Sequence, residues 1–120
     1  MLRIALAVLI ILAFPGVSIA GGTSEELYNE CHKLEKAPRD QKALMADVYC
    51  AAYVDGVVDG YRIMADLNPS SKMICLPSAG IDNGTIIDIF SKWYKKQKDS
   101  KTVPARSGVL LSLKAAYPCK

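Results

Sequence analysis

The four cysteines carry the clearest chemistry in this sequence. Cys31, Cys50, Cys75 and Cys119 all lie beyond the apolar N-terminal stretch. An even number of cysteines behind an export signal is typical of disulfides made in an oxidising compartment. Their spacing matches no zinc knuckle and the chain has a single histidine, so we expect no metal and no other cofactor. The cysteines therefore predict two structural disulfides.

His32 is the only histidine and follows Cys31 directly. Adjacent residues on a helix point in different directions, so these two side chains do not form the nucleophile and base of a cysteine enzyme. We expect His32 to be an ordinary surface histidine or one whose hydrogen bonds are satisfied. No other nucleophile with a base is visible, and the sequence does not favour an enzyme.

A row of charged residues could in principle supply paired carboxylates for glycoside cleavage. However, Asp59 and Arg62, and then Arg62 and Asp66, are spaced as helical ion pairs. The row, which begins at Asp55, therefore predicts a solvated charged face or an interface. We take Asp55, Asp59 and Arg62 as candidate partner-binding residues.

The first twenty residues have the pattern of a cleaved export signal. Arg3 is a short basic region, Ile4 to Phe14 is apolar, and small residues lead to a cleavage site after Ala20. The apolar stretch is shorter than the roughly 20 residues of a membrane-spanning helix. We expect residues 1–20 to be a signal peptide and residues 21–120 to be one exported domain without a membrane span. Without Arg3 the chain has 15 − 1 = 14 Lys and Arg against 12 Asp and Glu, which is too near neutral to indicate nucleic acid.

Helical periodicity without sustained strand alternation predicts an all-α, small four-helix bundle-like domain. The first helix should run from Ser24 to Lys36, with Thr23 or Ser24 as its N-cap. The second should run from Gln41 to Leu67. A third should begin at Asp82 or Asn83, and Thr102-Val103-Pro104 should open a fourth, with Pro104 in its first turn, that ends at Pro118.

Each of the last three helices has a predicted buried face. On the second helix, Gly56 and Gly60 each lower helix stability by about 1 kcal/mol relative to Ala. Because glycine is unfavourable inside a helix, its presence predicts that a neighbouring element approaches the backbone closely. The third helix also carries a lysine run after Trp93, which we interpret as a solvated face, with an acidic or anionic partner as the alternative. The predicted buried residues are Ala46, Cys50, Tyr53, Val57, Gly60, Tyr61 and Met64 on the second helix, Ile86, Ile89, Phe90 and Trp93 on the third, and Val109, Leu110, Leu113, Ala116 and Tyr117 on the fourth.

Four cysteines allow three pairings. If the first two helices form a hairpin, Cys31 and Cys50 lie at similar heights on facing helices. If the last two helices form another, Cys75 and Cys119 meet at its open end. This geometry favours Cys31–Cys50 and Cys75–Cys119.

The order of motifs in the chain resembles the Tai family of type VI secretion amidase immunity proteins. The resemblance implies a small periplasmic helical protein that binds a peptidoglycan amidase effector and covers its active-site groove, with a homodimer as an option. It rests on Cys50-Ala-Ala-Tyr53-Val-Asp-Gly56-Val-Val-Asp59-Gly60, Cys75-Leu76-Pro77, Trp93-Tyr94, and Pro104-Ala105 through Ala115-Ala116-Tyr117-Pro118-Cys119.

The loop from Asn68 to Ile74, with Lys72 and Met73, is the other candidate for binding a partner. An inhibitor acts through an interface whose energy is concentrated in a few residues, which loops and exposed helix faces supply. The alternative function is a periplasmic chaperone or stress protein of the small helical type, which would bind many unfolded clients instead of one enzyme.

Overall fold

The computed structural model describes residues 22–33 and 40–120. The predicted signal peptide, the end of the predicted first helix and most of the turn after it lie outside these residues. The described chain contains four α-helices, namely α1 Ser24–Cys31, α2 Gln41–Leu67, α3 Asn83–Lys96 and α4 Ala105–Ala116. Short 3₁₀ turns follow α2 and α3 at Pro69–Ser71 and Ser100–Thr102. Within the described ranges there is no strand, which confirms the all-α prediction, and no helix is long and apolar enough to cross a bilayer.

Side-chain caps start three of the helices. Thr23 caps α1 in a capping box, in which the Glu26 amide donates to the Thr23 hydroxyl (3.2 Å) and the Thr23 amide donates to the Glu26 carboxylate (2.9 Å). Asp40 caps α2 and Asp82 caps α3. Helix α1 runs to Cys31, with His32 as its C-cap, and the predicted end at Lys36 lies outside the described residues.

The Asp82 cap responds to pH. The hydroxyl and amide of Thr85 donate hydrogen bonds to the Asp82 carboxylate (2.6 and 2.9 Å), and they hold its pKa below the usual value. A depressed pKa in the folded state means that the cap stabilises the fold at neutral pH. This stabilisation is lost as the pH falls through that pKa.

The start of α1 lies against the start of α4. The Ser24 amide donates to the Val103 carbonyl (2.7 Å), and the Ala105 amide donates to the Gly22 carbonyl (3.0 Å). Pro104 is the N-cap of α4 and lies just before the first turn, so its predicted place inside that turn was wrong. Gly108 makes the close approach sterically feasible, because a Cβ there would lie 2.2 Å from Ser24 Oγ and 3.1 Å from Phe90 Cε2.

One apolar core joins all four helices and the chain after α2. The buried faces of α3 and α4 follow the prediction in part, because Ile89, Trp93, Leu110 and Tyr117 are only partly buried and Ala116 is exposed. The core consists of Leu27, Val54, Val58, Tyr61, Ala65, Ile74, Ile86, Phe90, Ala105, Val109 and Leu113.

The buried face of α2 is rotated from the predicted one. Ala46, Cys50 and Tyr61 are buried as predicted and Tyr53 and Val57 are partly buried, whereas the expectations for Gly60 and Met64 were wrong because both are exposed. Apolar residues also occupy the opposite side of α2, so hydrophobic periodicity does not define a single face. The observed buried residues are Ala43, Ala46, Cys50, Val54, Val58, Tyr61 and Ala65.

The predicted close approach to Gly56 and Gly60 was also wrong as far as the described residues are concerned. A Cβ built at either position meets no atom within 4 Å outside the local helix backbone, and both residues are exposed. The described part of the chain therefore gives no packing reason for two glycines in the middle of its longest helix.

Both predicted disulfides are confirmed. Cys31–Cys50 joins α1 to α2, and Cys75–Cys119 joins the loop after α2 to the C-terminus. The described chain has no free cysteine, so none of its sulfur atoms is a thiol nucleophile.

We predict that Gly108→Ala lowers the free energy of unfolding by about 1–3 kcal/mol, because the added methyl group overpacks the contact with Ser24 and Phe90. Gly56→Ala is the matched control, since it adds the same group where no described atom of the same chain lies within 4 Å. It should leave stability unchanged or raise it by up to about 1 kcal/mol. Urea denaturation of dilute protein measures both variants. A Gly108→Ala variant as stable as the parent would contradict the close packing of α1 on α4.

We expect removal of either disulfide by paired Cys→Ser substitutions to lower stability by about 2–4 kcal/mol. The sequence separation is 44 residues for Cys75–Cys119 and 19 for Cys31–Cys50. Because the cross-link of the longer loop restricts the unfolded chain more, its loss should cost about 0.7 kcal/mol more. Chemical denaturation of the two double variants tests this order, and the reverse order would contradict the loop-closure explanation.

Candidate functional site

The Tyr61 side chain fixes the loop that follows α2. Tyr61 is buried, with 6% of its surface exposed. Its hydroxyl accepts hydrogen bonds from the amides of Met73 (3.1 Å) and Ile74 (2.8 Å) and donates to the Ile74 carbonyl (3.1 Å). One side chain therefore satisfies three backbone groups of a segment that has no helix or strand of its own.

The same loop is tied to the end of the chain. Beside the Cys75–Cys119 disulfide, the Cys75 amide donates to the Tyr117 carbonyl (2.9 Å), and Ile74 forms a single antiparallel bridge with Pro118. Before it, the Ser70 and Ser71 hydroxyls donate to the side chain and carbonyl of Asn68 (2.8 and 2.9 Å). The loop is thus ordered without a partner, which lowers the entropic cost of binding one.

A groove of about 410 Å³ lies between the last turns of α2 and the 72–80 loop. Tyr61, Ala65 and Ile74, which are buried, contribute to its lining. Arg62, Asp66 and Lys72 also line it and are exposed. The far wall is residues 76–80, where the Gly80 amide donates to the Pro77 carbonyl (3.0 Å) and Gly80 has a φ of +86°. That left-handed conformation favours glycine.

The groove has an apolar base and an edge with two cations and one carboxylate. Such a site suits an apolar side chain that carries an acidic or polar group, because the base contributes burial and the edge contributes charged hydrogen-bond donors. Its described lining contains neither a histidine nor a cysteine. What the groove offers is apolar contact and charged hydrogen-bonding groups.

The structure brings together some of the predicted partner-binding residues. Arg62 and Lys72 line the same groove, and Met73, which is 53% exposed, is fixed beside it through Tyr61. Asp59 contacts Arg62 at 3.9 Å, and both are exposed. Asp55 lies one turn earlier on the exposed side of α2 and does not line the groove. In the part of the chain that the structure describes, no ion pair joins Arg62 to Asp66.

The sequence interpretation missed two contributors to the groove. Tyr61 was taken as a core residue only, although its hydroxyl positions the candidate loop. Residues 76–80 were not predicted to line a binding surface, although they form the far wall. The Pro77 to Gly80 turn chemistry was the available signal, but it does not say which surface the turn faces.

His32 and the lysine run have structural partners. His32 is buried, with Nδ1 2.7 Å from the Tyr28 carbonyl and Nε2 3.3 Å from the Ser91 hydroxyl, so it is a histidine with satisfied hydrogen bonds. In the lysine run, Lys101 pairs with Glu25 (3.5 Å) and Lys95 Nζ lies 5.8 Å from the centre of the Tyr28 ring. Lys92, just before Trp93, pairs with Asp88 (2.7 Å). These contacts agree with a solvated helix face.

Tyr61→Phe should detach the 72–76 segment from α2 while it preserves the ring in the core. Loss of the hydroxyl leaves the buried Ile74 amide without its acceptor. We therefore expect the free energy of unfolding to fall by about 1–3 kcal/mol and hydrogen exchange at the Ile74 amide to become faster. Tyr49→Phe, at an exposed position of the same helix, is the control and should change neither. Unchanged exchange at Ile74 in the Tyr61→Phe variant would contradict the anchoring role.

Comparison with known proteins gives one family. A family model described as Rap1a immunity proteins matches residues 23–119. The match covers all four described helices, both disulfides and the whole groove. No curated protein matches the chain.

Proposed function

The chain belongs to the family of Rap1a immunity proteins, and from this premise we propose that it binds and neutralises a type VI secretion effector that is a peptidoglycan amidase. An immunity protein works by binding its cognate effector. The function therefore needs a complementary surface and no catalytic centre. The likeness of the motif order to the Tai family supports the choice of an amidase.

The observation that carries the proposal is the ordered loop beside the groove. Every residue from Asp66 to Met73 is exposed, yet the segment is held by Tyr61, by Asn68 and by the following disulfide. A partner thus meets an apolar Met73 side chain next to a groove with cationic edges. Apolar anchors beside charged donors are typical of interfaces in which a few residues dominate the binding energy.

Specific residues have specific roles in this proposal. Met73 enters an apolar depression of the effector, where its flexible thioether adapts to the available shape. Arg62 and Lys72 receive a carboxylate or polar group of the effector, and Arg62 does so with a planar pair of donors. Asp59 orients Arg62 through their ion pair. Asp55, one turn earlier on α2, extends the polar surface beside the groove.

Export is part of the proposal. Residues 1–20 act as a signal peptide, and residues 21–120 form the mature domain in the periplasm, where peptidoglycan lies. Two disulfides fit an oxidising compartment. A homodimer is also included, because the outer face of α2 has no partner among the described residues.

The test pairs the mature chain with a type VI secretion peptidoglycan amidase, sought first among the products of the neighbouring reading frames. We predict that the Arg62→Glu/Lys72→Glu double variant binds this amidase at least tenfold more weakly, equivalent to about 1.4 kcal/mol, because two donors at the groove edge become acceptors. Lys114→Glu/Lys120→Glu, at two exposed positions outside the groove, is the charge-matched control and should bind within twofold of the parent. Titration calorimetry measures the affinities, and lysis on periplasmic co-expression measures protection.

Two outcomes would contradict the proposal. If the parent protein neither binds nor protects against that amidase, the amidase assignment fails. If it suppresses aggregation of unrelated unfolded proteins and forms no one-to-one complex, the chaperone alternative replaces it. If the groove variant and the Lys114→Glu/Lys120→Glu control lose affinity equally, the groove is not the binding surface.

A further inference from the structure

The last turns of α3 and the turn after it concentrate the positive charge of the chain. Residues 92–101 contain five lysines and a single acidic residue, Asp99. The rest of residues 21–120 has 14 − 5 = 9 Lys and Arg against 12 − 1 = 11 Asp and Glu, so its net charge is negative. A domain that is nearly neutral as a whole therefore has one basic end. We call this surface the basic end, and its members are Lys92, Trp93, Lys95, Lys96, Lys98 and Lys101.

Part of this charge is not neutralised inside the fold. Two of the lysines pair with carboxylates of α1 and α3, whereas Lys96 and Lys98 are exposed and form no ion pair with any described residue. Lys96 is the last residue of α3, where a cation is favourable at the negative end of the helix dipole. Lys98 lies beyond the helix, so neither an ion pair nor a place in the last turn accounts for it.

Trp93, the only tryptophan of the chain, lies among these lysines with part of its surface exposed. It lines two depressions, one of about 370 Å³ between α3 and α4 and one of about 330 Å³ between α3 and residues 98–103. Lys96 lines both, and the first also has apolar lining from Ile89 and Ala116 and no acidic residue. Tryptophan and lysine around apolar surface are typical of the membrane–water interface, where the ring lies at headgroup level and lysine stems cover apolar atoms.

The start of the described chain is fixed at the same end of the fold. The Ala105 amide donates to the Gly22 carbonyl (3.0 Å), and Lys101 pairs with Glu25 (3.5 Å). Only seven residues separate Gly22 from the apolar stretch that ends at Phe14, and seven residues span at most about 25 Å. During the proposed export, when the apolar stretch is in the membrane, the basic end is therefore kept close to the bilayer surface.

We propose that the basic end docks on an anionic phospholipid bilayer, with Lys96 and Lys98 at the lipid phosphates and Trp93 at headgroup level. The proposal rests on the export that is part of the proposed function. Lysines near a membrane are attracted by anionic lipids within about a Debye length. A bilayer fits this end better than an acidic protein does, because Trp93 suits the headgroup region and the chain reaches the apolar stretch from here.

Docking in this orientation leaves the proposed effector site open. The groove is lined by Gly80, just before α3 begins at Asn83, whereas the basic end surrounds the last turn of the same helix. The 14 residues of α3 separate its two ends by about 20 Å at 1.5 Å per residue. No member of the basic end lines the groove. The groove therefore lies at the end of α3 away from the bilayer, on the side of the cell wall.

Flotation of the oxidised mature chain, residues 21–120, with lipid vesicles tests the proposal without the apolar leader. We expect the chain to float with phosphatidylcholine vesicles that contain about 40 mol% phosphatidylglycerol at about 50 mM salt and to be released at about 500 mM. It should not float with pure phosphatidylcholine. The fluorescence of the single tryptophan should shift to shorter wavelength on binding, and inorganic phosphate alone should not cause this shift.

Lys96→Glu/Lys98→Glu should lower the partition coefficient on the anionic vesicles at least tenfold, because two attractive charges become repulsive. Lys42→Glu/Lys120→Glu is the charge-matched control, at exposed positions outside the basic end, and should bind vesicles within twofold of the parent. Both double variants should bind the amidase as the parent does. Far-ultraviolet circular dichroism checks that each is folded.

A parent chain that does not float with the anionic vesicles at low salt would overturn the proposal. Equal binding by the parent and the Lys96→Glu/Lys98→Glu variant, or binding without a change in Trp93 fluorescence, would overturn it too. If the parent ignores vesicles and the same variant loses amidase affinity, the basic end belongs to the effector interface instead. Vesicle binding without amidase binding would support this proposal and contradict the proposed function.

Discussion

The position of the 72–80 loop depends on the hydroxyl group of Tyr61. This loop has no ladder or helix of its own, and the Tyr61 hydroxyl pairs with the backbone of Met73 and Ile74 from inside the fold. The Cys75–Cys119 disulfide then ties the next residue to the end of the chain. These constraints act together, since one fixes the loop to α2 and the other to the segment after α4. The groove forms because the Tyr61 hydrogen bonds and the disulfide together fix the position of the loop.

Helix α2 has two functional sides in this account. Its inner side packs against the other three helices and holds Cys50, while its outer side leaves apolar residues in water. The last turns of the inner side also provide one wall of the groove. A single long helix therefore links the core, the candidate effector site and the proposed dimer surface, and it does so with different residues for each.

The fold class could be predicted from the sequence because its determinants are local. Caps such as Asp82 are recognised by residue type, and two helical hairpins are enough to pair Cys31 with Cys50 and Cys75 with Cys119. The burial register of α2 could not be predicted in the same way. Val54 and Val58 face the core while Tyr49 and Ile63 face water, and hydropathy alone does not separate them.

The candidate site was predictable only in part, for a related reason. Lys72, Met73 and Arg62 were identified as exposed and polar or adaptable, which local sequence can indicate. Arg62 and Lys72 line the same groove because Tyr61 contacts the loop. This contact joins residues that are distant in the sequence, and sequence spacing does not predict it. The requirement for glycine at position 108 could not be predicted either, because the residues that leave no room for a side chain there, Ser24 and Phe90, are distant in the sequence.

The central claim is that the loop and groove after α2 form the surface that binds the effector. Hydrogen–deuterium exchange of the mature chain, alone and in complex with its cognate amidase, tests it most directly. The account predicts new protection of backbone amides within residues 61–80, with little change in α4. Protection confined to the lysine-rich end of α3 or to α4, with residues 61–80 unchanged, would contradict it.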